Sequence, residues 1–279
     1  MFDKSRYKAA AFDLDGTLLD KGKMSSEVRE ALIKLKNSGI ITIVATGRDW
    51  CQVEKEWRGL FTYCISTSGG CIRECETEKV IASHPIRQKD VLELIEVIDS
   101  FHSGYFLYLE GSAECTGNAF AVINKNQPRI NREDFLNLFS TREHPEHSLY
   151  NFQKATEKTV YKIESYYPSK EVSLQAAEAL KRIGKYETII MSHDSVEINA
   201  KGINKAGALE ELGNLVGFKA ENLVAFGDSS NDLDMLKYAG YAVVMDNGAD
   251  CVKEIADRIA PDVSKDGAAT TILELFELN

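Results

Sequence analysis

Asp13-Leu-Asp15-Gly16-Thr17 sets two carboxylates two positions apart, ahead of a glycine, and Gly227-Asp228-Ser-Ser-Asn231-Asp232 sets two more far downstream. One Asp-x-Asp-Gly on its own is most simply a turn, since Asp and Gly both favour turns. Brought together, Asp13, Asp15, Asp228 and Asp232 would repel one another unless something neutralised them. Hard oxygen ligands in that number suit Mg²⁺, which keeps waters and shares its ligation with a substrate phosphate. The hydroxyls of Thr46, in Thr46-Gly47-Arg48, and of Ser68, before Gly69-Gly70, fall at equivalent places in the pattern. Each residue also has a blander reading. Thr46 caps a helix, Lys205 is a solvated surface lysine, Asp234 is a helix-face charge, and Arg48 divides evenly between a surface ion pair and a phosphate region.

The elements that must carry these residues follow from periodicity. Lys8–Phe12, Ile40–Ala45 and Tyr63–Thr67 are short runs without polar alternation, as in strands buried on both faces. Between the first two, Val28, Ala31, Leu32 and Leu35 mark an amphipathic helix, capped by Ser25 or Ser26 and ended at Gly39. Strand, helix, strand, helix, strand is a parallel α/β layer. From about His84 the order becomes αββαβαββ, an α+β layer. Tyr105–Glu110 and Ala119–Asn124 read as paired strands, Arg132–Phe139 as a short helix, and 142–151 as a polar loop whose His144 and His147 are solvated. The doubly wound pattern resumes with a helix over Asn204–Leu212 ended by Gly213, a buried strand Leu223–Phe226, a helix Asp232–Ala239, and strands Ala242–Met245 and Arg258–Ala260. The expected architecture is therefore a doubly wound, Rossmann-like parallel-sheet core, residues 1–83 and 194–279, with an inserted α+β domain, 84–193. In an open α/β sheet ligands bind beyond the carboxyl ends of the strands, so Asp13, Thr46, Ser68 and Asp228 are expected at one edge.

Composition narrows the function classes. The chain has 279 residues, with 43 acids against 33 bases and a formal charge of −10. That balance argues against a nucleic-acid backbone or an anionic membrane as partner, and Tyr105, Phe106 and Tyr108 read as sheet core rather than a base-stacking platform. No apolar run approaches the roughly 20 residues of a membrane helix, and the charged opening MFDKSRYK lacks the apolar core of a signal peptide. A cytoplasmic protein with six reduced thiols is expected. Cys71 and Cys75 have no second pair at zinc spacing. Gly202–Gly207 lacks the Lys-Ser/Thr of a P-loop.

On these residues the chain resembles the haloacid dehalogenase superfamily of phosphotransferases. Asp13-Leu-Asp-Gly-Thr-Leu-Leu19 resembles its first motif, Thr46-Gly-Arg48 its second, Lys205 within Gly202-Ile-Asn-Lys-Ala206 its third, and Gly227-Asp-Ser-Ser-Asn-Asp-Leu-Asp-Met-Leu236 its fourth. The large insert after the third strand resembles the Cof-type branch with its C2B cap. The resemblance implies a phosphatase acting on a small phosphorylated metabolite, a sugar phosphate by default. It implies Asp13 as nucleophile, Asp15 as general acid and base, and Mg²⁺ held by Asp13, the Asp15 carbonyl and Asp228. It further implies Thr46 and Lys205 on the phosphoryl group, Asn231 near the phosphate or Lys205, Asp232 orienting Lys205 or a metal-bound water, and Gly16 and Gly47 allowing close backbone approach. Two departures stand out. Ser68 replaces the usual Asn after the third strand, and Val244-Met-Asp246-Asn-Gly248 adds a carboxylate that is either at the site edge or a turn residue. Competing readings are a phosphomutase or phosphotransferase of the same fold, a receiver, and a silent phosphometabolite-binding protein. A receiver's acceptor would follow the third strand, where this chain has Ser66-Thr-Ser-Gly-Gly70.

Overall fold

The computed structural model describes residues 2–109, 111–126, 141–145, 148–191 and 194–278. The chain lays down β1 (Ala9–Phe12), β2 (Ile41–Ala45), β3 (Tyr63–Ser66), β4 (Cys71–Glu74) and β5 (Val80–Ser83). It then forms β6 (Gly104–Leu109), β7 (Ser112–Thr116), β8 (Thr141–His144), β9 (Val160–Tyr166), β10 (Tyr186–Ile190) and β11 (Ser195–Ala200) in a separate sheet. It returns to the first sheet for β12 (Leu223–Gly227), β13 (Tyr241–Met245) and β14 (Arg258–Ala260).

The first sheet has eight strands in the order β14-β13-β12-β1-β2-β3-β4-β5. From β14 to β3 all neighbours are parallel, and β4 and β5 add an antiparallel edge. β1 lies in the middle with Ala9–Phe12 fully buried, as an apolar strand covered on both faces must be. The helix Ser26–Asn37 begins at Ser25, whose Oγ accepts the Val28 N–H at 3.1 Å, and it buries the expected stripe of Val28, Ala31, Leu32 and Leu35. The later helix runs over Lys205–Val216, past the stop expected at Gly213, because Gly213 is itself buried in the packing against Phe218.

By contacts, residues up to Gly47, Glu54–Ser83 and the chain from Asn204 form one unit, and Arg48–Val53 with His84–Ile203 form the other. The second unit carries the sheet β10-β11-β9-β6-β7-β8, antiparallel except for β7 beside β8. The helices Gln88–Asp99 and Lys170–Ile183 cover one face over a core of Leu94, Ile98, Leu107, Ile163 and Leu180.

Two expectations in this unit are corrected. β6 pairs with β7 and β9, and residues expected as a strand from Ala119 form the helix Ala119–Asn126. A short apolar run is ambiguous between helix and buried strand. Here tertiary packing decides, because Ala119 and Ile123, four apart, join Phe106 and Cys115 in one buried cluster. A Cβ at Gly104 would lie 2.2 Å from the Ala119 Cα, so only glycine admits this helix start against β6. The second correction concerns 142–151, expected as a loop. Its start is β8, and a helix follows over Ser148–Thr156. His144 is not a solvated loop residue: its Nε2 lies 2.7 Å from a carboxylate oxygen of buried Glu114, whose other oxygen accepts from Lys158 at 2.9 Å. His147 and the helix expected at Arg132–Phe139 lie outside the described residues. No helix among the described residues is long and apolar enough to cross a membrane, and the six cysteines are free thiols.

Candidate active site

β1 and β12 run parallel and in register, Phe12 opposite Phe226, and the Asp13 N–H donates to the Phe226 carbonyl at 3.0 Å. The residues just past the two strand ends, Asp13 and Asp228, therefore emerge side by side. After Asp13 the chain folds tightly: the Leu14 carbonyl accepts from the N–H groups of Thr17, Leu18 and Leu19, and all four of these residues are buried. Gly16 sits at φ +85°, and a Cβ there would lie 2.3 Å from Asp228 Oδ2. The Thr17 hydroxyl donates to Asp228 Oδ1 at 3.2 Å. Asn247 reaches across to donate to the Gly16 carbonyl at 2.8 Å. Thr17 and Asn247 were given no role from sequence. Thr17 lies inside the motif that contains Asp13, and Asn247 lies inside Val244-Met-Asp-Asn-Gly248, the stretch singled out for Asp246.

Lys205 enters from the first residue of its helix, which Asn204 caps by accepting the Gly207 N–H at 2.8 Å. The lysine is 1% exposed, so the surface-lysine reading is wrong for it. Its Nζ donates to Asp13 Oδ1 and to Asp232 Oδ1, both at 2.6 Å. Asp232 Oδ2 accepts the N–H groups of Asp228 and Ser229, each at 3.0 Å. Asp232 thus ties the ammonium to the turn that carries Asp228.

Oxygens of Asp13, Asp228 and Asp232 lie within 4.8 Å of one another. Burial pushes the Asp13 carboxyl well above the ordinary range; Lys205 opposes that rise, and Asp232, Asp228 and Asp15 add to it. Burial, followed by the charge of Asp232, pushes Asp228 up to about 7. Burial alone would lower Lys205, but the Asp13 and Asp232 carboxylates beside it hold it above its ordinary value, so it stays charged. One ammonium against three crowded carboxylates leaves a deficit of positive charge, which a divalent cation fits and which protons otherwise fill. Asp232 has both oxygens engaged by Lys205 and the backbone, so the oxygens open to a cation belong to Asp13 and Asp228.

Asp15 is exposed on the loop after β1. Thr46 is buried just past β2; its N–H donates to the Ile65 carbonyl and its carbonyl accepts the Ser68 N–H, locking the ends of β2 and β3 together. Ser68 is buried in the left-handed region, at φ +56°. The side-chain oxygen of Asn231 accepts from the Ser229 hydroxyl at 2.6 Å. Arg48 belongs to the other unit, where it donates to the Gln52 carbonyl at 3.1 Å. Asp246 is an exposed turn residue, and Asp234 is exposed and accepts from Asn204 at 3.1 Å.

A sheet-edge acid cluster with a buried lysine defines a class that sequence comparison also recognises. Residues 10–272 match the family of haloacid dehalogenase-like hydrolases, and the chain belongs to that family. It is a phosphatase of the superfamily's Cof-type branch. It is 29% identical over 268 residues to the 5-amino-6-(5-phospho-D-ribitylamino)uracil phosphatase YcsE of Bacillus subtilis (strain 168), covering 95% of this chain and 94% of the relative. It is 27% identical over 281 residues to the pyridoxal phosphate phosphatase YbhA of Escherichia coli (strain K12), covering 95% and 97%. A solved haloacid dehalogenase-like hydrolase from Bacteroides thetaiotaomicron superposes with a TM-score of 0.78 at 28% identity, covering 97% of this chain and 100% of the other.

Proposed function

We propose that this protein hydrolyses a small-molecule phosphomonoester, a sugar phosphate or related metabolite, with Mg²⁺ and through an aspartyl-phosphate on Asp13. The observation that carries the reading is the buried Lys205 ammonium shared between Asp13 and Asp232 beside Asp228. Asp13, Asp228 and the backbone carbonyl of Asp15 would hold the cation, which when bound supplies positive charge to the carboxylates and to the phosphoryl oxygens.

The Asp13 carboxylate attacks phosphorus, and the ester P–O bond breaks. Asp15 gives a proton to the departing alkoxide. In the second half Asp15 takes a proton from water as the water oxygen attacks phosphorus. The P–O bond to Asp13 then breaks, releasing inorganic phosphate and restoring both carboxyl groups. The exposure of Asp15 supports this role, because the proton must pass between the site and alcohol or water. Lys205 holds the Asp13 carboxylate in one orientation and offsets charge on the transferring group, while the Thr46 hydroxyl and Asn231 bind phosphoryl oxygens. Gly16 and Gly47 leave room for the anion.

The inserted α+β segment, 84–193 by sequence, is the cap that selects the leaving group. The relatives named for a ribityl phosphate and for pyridoxal phosphate support a small monoester as the substrate class. The test is phosphate release from a panel of such esters with Mg²⁺ and with EDTA. Release is expected for some esters and is lost with EDTA, and Asp13→Asn abolishes it while leaving the circular dichroism unchanged. Turnover that survives in Asp13→Asn would reassign the nucleophile.

A further inference from the structure

The second unit contains a cavity of about 450 Å³ with no part in the chemistry above, within the roughly 300–1,000 Å³ usual for small-molecule sites. Its walls come from the segment ahead of the helix Gln88–Asp99, the turn between the helix Lys170–Ile183 and β10, and the end of β11. Ile86 and Tyr186 give it buried apolar surface. Around them stand Arg87, Lys185 and Lys201, with Asp90 the one carboxylate in the lining.

The side chain of Asp90 is 5% exposed and accepts from Arg87 Nε at 2.5 Å. Arg87 is thereby anchored through Nε, and among the described residues neither terminal nitrogen has an acceptor. That fork matches a planar carboxylate or a phosphate oxygen pair. Lys185 is balanced by Glu93 at 3.1 Å, and Lys201 donates to the Gly184 carbonyl at 2.9 Å. With both acids counted, the surroundings still hold one net positive charge, in a chain whose total is −10.

We propose that this cavity is a second ligand site, separate from the phosphatase centre, for a small organic anion with an apolar or aromatic body. The anionic head meets Arg87 and Lys201, and the body lies against Ile86 and Tyr186.

The probe is 2-naphthoate, titrated calorimetrically into the full chain, with uncharged 2-naphthamide as its comparison. The expected result is saturable binding of naphthoate at or below about 1 mM and at least about tenfold weaker binding of the amide, the factor one charge-assisted hydrogen bond carries. Arg87→Gln/Asp90→Asn, which removes the fork without orphaning the acid, and Lys201→Gln should each weaken naphthoate binding. Asp13→Asn should bind it as the parent does, which separates this site from the phosphatase reading. No saturation by about 10 mM, equal binding of acid and amide, unchanged affinity in both folded Arg87 and Lys201 variants, or loss of binding in Asp13→Asn would each overturn the proposal.

Discussion

Replacing Lys205 with methionine tests the centre of the site. Methionine has nearly the same length and no charge, so the packing survives and the ammonium is lost. The lysine side chain is fully buried, and it is 2.6 Å from Asp13, 8% exposed, and 2.6 Å from Asp232, fully buried. Removing one partner of a buried ion pair costs about 3–5 kcal/mol, because the other charge is left without compensation. Here two carboxylates are left, although Asp232 keeps its two backbone donors, so a loss of about 4 kcal/mol is expected at pH 8. That is a large share of a typical total of about 5–15 kcal/mol. The loss must shrink as pH falls. Without the lysine, the buried carboxyls take up protons in the folded state at a higher pH than they do in the unfolded chain. The folded variant then binds more protons than the unfolded one, and its stability rises toward acid. Urea melts of both proteins in EDTA, at pH 8 and pH 5.5, measure this, with unchanged m-values as the check on two-state behaviour. Lys205→Met/Asp232→Asn should lose less than Lys205→Met alone. A loss under about 1 kcal/mol at pH 8, or one independent of pH, would refute the claim that Lys205 neutralises this cluster.

Gly16→Ala should displace Asp228, because the added Cβ falls 2.3 Å from its Oδ2 at a positive φ. Calorimetry should find Mg²⁺ affinity and turnover reduced at least about tenfold, with about 1–3 kcal/mol of stability lost. Thr17→Val removes the hydroxyl that donates to Asp228 and holds its carboxyl down, so Mg²⁺ binding at pH 7 should weaken while urea stability changes by no more than about 1–2 kcal/mol. In the cation-free protein, Asp228 titrates near 7 rather than at its ordinary 3.8, so Mg²⁺ must displace a proton below that point. Its apparent affinity should fall by up to about tenfold per pH unit below 7 through this one proton, with proton release visible in buffers of different ionisation enthalpy. The same shift has the opposite sign for stability: the cation-free fold binds this proton more tightly than the unfolded chain does, so it gains stability as pH falls from 7 toward 4.

Much of the sheet was legible because short apolar runs ending in Asp, Thr or Ser carry their own signal. β1, β2, β3, β12 and the helix Ser26–Asn37 stand where periodicity puts them. The antiparallel edge β4 and β5 was not anticipated, since Cys71–Glu74 and Val80–Ser83 have neither length nor alternation to mark them. The polar stretch at β8 misled for a different reason. Polar residues usually indicate solvent, and only pairing with a strand distant in sequence, β7, with Glu114 beside His144, holds this half-exposed edge in the sheet.

For the site, sequence by itself determined which residues could act and that Asp13 and Asp228 close strands of one sheet, because those facts rest on residue type and on a period of a few residues. The tertiary structure decided what each does. It buried Lys205, which any composition argument places in water, and it divided the acids by their contacts. Asp232 became the brace between the ammonium and the backbone, Asp13 and Asp228 kept oxygens for a cation, and Asp15 stayed in solvent. Those assignments depend on distances of 2.6–3.2 Å between segments far apart along the chain and on the loss of water around them, and neither is a property of local sequence.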